Sequence, residues 1–197
     1  MLALVLGAAL VYDVLISAGH EGRPASCAHF PQHHCNLGAS GEREWTPIVA
    51  DAATQILRAH GVAVARLPAD FAGQYHVKAA VFIHFDGSAP PCLSSASIGY
   101  AHERDAAAAS MWRRLYGGYW PFGFRPDNFT ANLREYYAFK QVDARNGSLV
   151  LELGEITCPA QRAWLAGRLH WTGSLLAYYL SMLVGEGGVP KPNGIAH

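Results

Sequence analysis

Two histidines and two glutamates pose the chemical question in this chain. His20 follows a short apolar run in Ser17-Ala18-Gly19-His20-Glu21-Gly22, and His84 closes another in Val81-Phe82-Ile83-His84-Phe85-Asp86. Glu152 lies within Leu149-Val150-Leu151-Glu152-Leu153-Gly154, with Glu155 three residues on. Between the histidines, Glu42 and Glu44 open a stretch of helical periodicity. Two imidazoles and one carboxylate are a usual ligand set for catalytic zinc, which keeps its fourth position for water. A further carboxylate can take the proton of that water as it attacks a carbonyl. A single histidine at a strand end is ordinarily a satisfied structural residue. Two of them, with a carboxylate-rich helix start in between, argue for a metal centre.

Such a centre needs strands to deliver its residues to one edge. Tyr12–Ser17, residues 62–67, Ala79–Phe85, Ser97–Tyr100, Tyr136–Val142 and Leu149–Leu153 read as strands, the third continuously apolar and therefore central. Between Trp45 and His60 the apolar residues Ile48, Val49, Ala52, Ala53, Ile56 and Leu57 form a helical stripe, and Gly61 stops it. Glu103–Tyr116 reads as a second helix, and Ala160–Val184 as a third with a break between Gly167 and Gly173. The aromatic, Gly- and Pro-punctuated residues 117–129 read as a long loop. Helices alternating with apolar strands predict one α/β domain with a largely parallel, covered sheet. In such sheets ligands bind at the carboxyl ends of the strands, where His20 and His84 fall.

The chain has 197 residues, 51% hydrophobic and 15% charged, enough for one full core and too apolar for long disorder. Fifteen basic side chains balance fifteen acidic ones, so the broad basic field of a duplex nucleic-acid binder is absent. The first ten residues, MLALVLGAAL, are apolar but well short of the roughly 20 needed to span a bilayer. Residues 1–12 are read as a signal remnant or N-terminal extension, and residues 185–197 as a tail. Four cysteines permit two disulfides: Cys27 with Cys35 across a short polar loop, and Cys92 with Cys158, each of which follows a strand. Four unpaired thiols in a reducing compartment are the alternative.

The ordered motifs resemble those of the zinc-dependent N-acetylmuramoyl-L-alanine amidases, the type 3 peptidoglycan amidases. The family's Gly-His-Gly-Gly after the first strand is matched by Gly19-His20-Glu21-Gly22, and its Glu-Lys-Asp-apolar helix start by Glu42-Arg43-Glu44-Trp45. Its Phe-Ile-Ser-Ile-His-Ala-Asn strand end is matched by Val81–Asp86, and its Leu-Val-Glu-Leu-Gly-Phe by Val150–Glu155. The resemblance spans residues 13–184 and implies one zinc ion on His20, Glu42 and His84, with Glu152 as general base. It further implies a twisted six-stranded sheet flanked by helices, and cleavage of the amide between N-acetylmuramic acid and L-alanine in the periplasm or cell wall. A zinc peptidase on another substrate and an inactive wall-binding module are the alternatives.

The departures from the family pattern carry expectations of their own. Glu21 and Glu155 replace a glycine and a phenylalanine, which would add negative charge near the metal if they point inward. Glu44 is the rival to Glu42 as ligand. Cys27, His29, His33, His34 and Cys35 lack zinc-finger spacing and read as a bridged loop with exposed histidines. His76 and His102 read as surface residues, and the Asn128-Phe129-Thr130 sequon as an accident. Tyr116, Tyr119, Trp120, Phe122 and Phe124 could stack on sugar rings or pack their loop down.

Overall fold

Strands form where β-branched and apolar residues run without interruption, and those runs are buried on both sides here. The computed structural model describes residues 11–29 and 35–194. Its strands are β1 (Val14–Ala18), β2 (Val64–Leu67), β3 (Tyr75–Val77), β4 (Ala79–Asp86), β5 (Ser97–Gly99), β6 (Val142–Ala144) and β7 (Ser148–Glu155). Five of them make the central sheet in the order β2-β1-β4-β7-β5. All neighbours are parallel except β5, which runs antiparallel to β7. The mostly parallel α/β architecture is therefore as expected, with β4 in its middle.

The strand count differs from the expected six. Tyr136–Val142 does not add a sheet strand: Tyr137–Lys140 is a 3₁₀ turn, and only Val142–Ala144 is extended, pairing with β3 in a separate two-stranded sheet. The reason is side-chain packing. Tyr136 and Phe139 lie on Phe82 at ring distances of 5.1 and 5.8 Å, so this segment covers a sheet face instead of extending an edge.

Period-two alternation sorts the central strands into two cores. Val14, Ile16, Val81, Ile83, Phe85, Leu149 and Leu151 face a helical layer built from α1 (Glu42–Ala59), α2 (Ala106–Gly117), α4 (Pro159–Ala166) and α5 (Leu169–Val184). Leu15, Ala80, Phe82 and Val150 face the smaller core closed by β3, β6 and the short α3 (Ala131–Arg134). His84 and Glu152 continue that second series toward the carboxyl edge. In α1 the buried positions are Glu42, Thr46, Val49, Ala50, Ala53, Thr54 and Leu57, one continuous face at spacings of three and four. α1 lies against α5 at Gly173, where a Cβ would come within 2.7 Å of the Val49 carbonyl oxygen. The helical break expected between Gly167 and Gly173 falls between α4 and α5.

Cys27 is bonded to Cys35, and Cys92 to Cys158. The second bridge ties the loop after β4 to the start of α4. No helix among the described residues is long and apolar enough to cross a membrane. The apolar residues 1–10 lie outside the described residues.

Candidate metal centre and active site

The site is assembled where β1, β4 and the start of α1 meet. Gly19 donates its N–H to the Ile83 carbonyl at 2.8 Å, which keeps the chain leaving β1 against the end of β4. Thr46, one turn into α1, donates its hydroxyl to the Gly19 carbonyl at 2.7 Å and ties the helix to the same turn. His20 follows with φ +61°, the left-handed region that side chains other than glycine rarely occupy. Strain of this kind persists only where the surroundings hold it.

Two glycines make room for the cluster. A Cβ on Gly19 would sit 2.4 Å from Cε1 of His84. One on Gly38, which has φ +74°, would sit 2.0 Å from Oε2 of Glu42 and 2.7 Å from Cδ2 of His20. Gly38 also lines a cavity of about 440 Å³ shared with Asn36, Ala39, Ser40, Gly41, Arg43 and Glu44.

Within that cradle Glu42 stands between the histidines. Its Oε1 is 2.9 Å from Nδ1 of His84 and 3.3 Å from Nε2 of His20, and all three side chains are buried. Candidate ligand atoms of the three residues lie within 4.8 Å of one another. Oε1 also accepts the Phe85 N–H at 3.1 Å, and Oε2 accepts the Ala39 N–H at 2.9 Å. Burial pushes the Glu42 carboxyl up, but hydrogen bonds from and proximity to His20 and His84 outweigh it and hold the group well below the usual range. Burial dominates at His84 and pushes its imidazole down, favouring the neutral form that binds metal. Nitrogen and oxygen donors in this arrangement suit zinc.

Glu152 occupies the next strand directly opposite His84 in register. Its Oε2 is shut off from solvent and has no hydrogen-bond partner among the described residues, nor does the hydroxyl of Ser97, which faces it from β5. Burial, followed by the charges of Glu42 and Asp86, raises the Glu152 carboxyl well above its ordinary value. An unsatisfied, proton-avid carboxylate beside a candidate metal centre is the expected form of a general base.

The rival residues go elsewhere. Glu44 is exposed and paired with Arg43, so Glu42 is the carboxylate that enters the cluster. Glu21 is held by Arg66 at 2.7 Å. Glu155 does not add an unpaired charge to the site. It accepts hydrogen bonds from the hydroxyls of Ser88 and Thr157 and the amides of Cys92 and Ser94, at 2.6 to 2.7 Å. His76 faces Asp143 at the surface, and the Asn128 side chain accepts the Tyr100 N–H at 2.9 Å. The disulfide removes Cys27 and Cys35 as ligands; His33 and His34 lie outside the described residues. Tyr116 and Trp120 are stacked and buried in the core, so they pack their loop, while Phe122 stays partly exposed.

Several residues at the site gave no signal in the sequence. The Tyr136 hydroxyl is 3.0 Å from Nε2 of His84. The Asn36 carbonyl is 2.6 Å from Nδ1 of His20. Arg23 is buried in a two-pronged pair with Asp70. All are partners across long sequence distances, and no local motif marks them.

No family model and no curated protein matches the sequence. The fold, however, is that of solved N-acetylmuramoyl-L-alanine amidases. The catalytic domain of CwlV, an N-acetylmuramoyl-L-alanine amidase from Bacillus (Paenibacillus) polymyxa var. colistinus, superposes with a TM-score of 0.61 at 16% identity, covering 89% of this chain and 99% of that one. The amidase Ami1 from Mycobacterium smegmatis gives 0.63 at 13% identity, covering 90% and 99%. The amidase AmiC2 of Nostoc punctiforme gives 0.55 at 16%, covering 88% and 94%. At such identities the likeness establishes architecture, and the chemistry must be argued from the side chains.

Proposed function

We propose that this chain is a zinc-dependent peptidoglycan hydrolase that cleaves the amide between the lactyl group of N-acetylmuramic acid and L-alanine. The observation that carries this reading is the buried His20–Glu42–His84 cluster with Glu152 opposite His84, its Oε2 without a partner among the described residues, on a fold shared with amidases. His20, Glu42 and His84 would hold a zinc ion, which when bound would supply Lewis-acid polarisation of the carbonyl and acidify the attacking water. Glu152 takes a proton from that water and returns it to the leaving amine. The lowered values of His84 and Glu42 favour the neutral imidazole and the ionised carboxylate that bind metal. Closure of the cluster against solvent strengthens each of these interactions.

The two disulfides and a wall substrate fit a periplasmic or secreted site of action, with residues 13–184 as the catalytic domain. The Glu152 Oε2, without a partner among the described residues, speaks against a wall-binding module without activity, since binding alone has no use for a carboxylate oxygen buried unsatisfied. The test is metal analysis of the purified protein combined with mass analysis of a peptidoglycan digest. We expect one zinc per chain and release of stem peptides beginning with L-alanine. Cleavage only within the stem would make the protein a peptidase, and wall binding without release would make it an inactive module.

A further inference from the structure

His84, Glu152 and Ser97 stand in one row across three neighbouring strands. His84 pairs with Glu152 between β4 and β7, and Glu152 pairs with Ser97 between β7 and β5. Alternation puts all three on one face of the sheet. Their strand neighbours Ile83, Leu151 and Ile98 belong to the core under the helical layer. Gly99, two residues beyond Ser97, lies against Leu133 of the opposite core. Residues directly opposite in an antiparallel pair hold their Cβ atoms about 4.5–5.5 Å apart. Ser97 is therefore the immediate neighbour of Glu152 on the side away from His84.

Ser97 is fully buried, and its hydroxyl has no partner among the described residues. An unmet buried hydroxyl is destabilising, and an alanine would avoid that cost. The flanking Ala96 and Ile98, both fully buried, show that the strand itself asks only for apolar side chains. Ser95, just ahead of β5, makes the contrast. It accepts the Trp120 indole N–H at 3.1 Å and donates to the Gly123 carbonyl at 2.8 Å. Packing accounts for Ser95 and leaves Ser97 without a role.

The complement to that hydroxyl is across the ladder. Ser97 lacks an acceptor and Oε2 of Glu152 lacks a donor. On the other side of Glu152, both ring nitrogens of His84 are already engaged, by Glu42 and by the Tyr136 hydroxyl. We propose that Ser97 is a positioning residue for Glu152: its hydroxyl turns about χ1 to donate to Oε2 and holds the carboxyl group by its inner oxygen. Serine has a single rotor, so the bond closes without a backbone shift. Glu152 keeps part of its surface open, and with Oε2 held inward the proton is exchanged at Oε1. The effect on rate rests on the zinc-hydrolase reading; the hydrogen bond itself does not.

The test uses the full chain with Ser97→Ala, Ser97→Thr, Glu152→Ala and the Ser97→Ala/Glu152→Ala double variant. In stem-peptide release, Ser97→Ala is expected to lower kcat about 10-fold, with KM and zinc content unchanged, and Ser97→Thr, which keeps the hydroxyl, to stay within about threefold of wild type. In chemical denaturation of the metal-free protein, the effects of the two alanine substitutions on the unfolding equilibrium are expected to depart from additivity by about 3- to 30-fold. Additive effects on unfolding, or a kcat of Ser97→Ala within about twofold of wild type, overturn the proposal while the zinc-hydrolase reading stands. A wild-type protein that releases no stem peptide overturns that reading, and the unfolding cycle alone then decides whether Ser97 holds Glu152.

Discussion

Glu152 and Glu155 are the same residue type on the same strand, three positions apart, and their surroundings are opposites. Glu155 is fully buried yet surrounded by four donors. Burial pushes its carboxyl up, but the hydrogen bonds of Thr157, Ser88, Ser94 and Cys92 prevail and hold it below its ordinary value. Glu152 has no such donors on Oε2 among the described residues and is raised by burial and by the charges of Glu42 and Asp86. The first carboxylate stitches the loop after β4 to the start of α4; the second is left free for a proton. Readiness for chemistry is thus visible in what a buried group lacks.

The comparison can be broken most directly at Glu152. Glu152→Ala is expected to lower the rate of amide cleavage about 10²- to 10⁴-fold while zinc content by metal analysis stays at the wild-type level. Cleavage at the wild-type rate would remove Glu152 as the base. Glu42→Gln should weaken zinc binding about 10-fold or more, read by chelator competition, since it takes the charge from the centre of the ligand set. At Glu155 the loss should fall on stability instead. Glu155→Ala removes the acceptor of four part-buried hydrogen bonds and is expected to cost about 1–3 kcal/mol in chemical denaturation, with zinc content unchanged.

The pH dependence sharpens the same contrast. Because the folded-state value of Glu155 lies below its ordinary 4.5, the unfolded chain takes up the proton first. The stability it contributes is present above that value and is lost as the pH falls through it toward the lower folded-state value. Glu155→Gln should flatten the acid limb of the stability curve, and an unchanged slope would show that the loop does not depend on the ionised carboxylate. The smallest effect is expected at Glu44: Glu44→Ala should change stability by less than about 0.5 kcal/mol and leave zinc affinity alone.

His20, His84 and Glu152 were legible because apolar strand runs announce themselves, and a polar residue within or just after one stands out. Glu42 and Glu44 were not separable, because both open the helix and only its first turn decides which one is buried. The role of Glu155 was hidden because its partners, Ser88, Cys92 and Ser94, lie more than sixty residues earlier. β3 is three residues long, too short for a periodic signal, and the aromatic run from Tyr136 carries strand propensity that packing against Phe82 overrides. The partners of the histidines were illegible for a related reason. A carbonyl at Asn36 or a hydroxyl at Tyr136 becomes informative only when the chain brings it to a ring.

His84 and Glu152 face each other across one rung of a parallel ladder, which has a consequence for how this site tolerates change in length. Their separation is set by backbone hydrogen bonds at a strand spacing of about 4.8 Å, not by the side chains around them. One residue inserted upstream within β4 would rotate the following positions to the opposite face and bring Ile83 where His84 belongs. The sheet would survive such a slip while the rung filled with hydrocarbon. Insertions between Gly87 and Ser94, a loop pinned at Glu155 and at the Cys92–Cys158 bridge, leave the rung untouched. Variation in loop length therefore has a place to accumulate that does not disturb the spacing between His84 and Glu152.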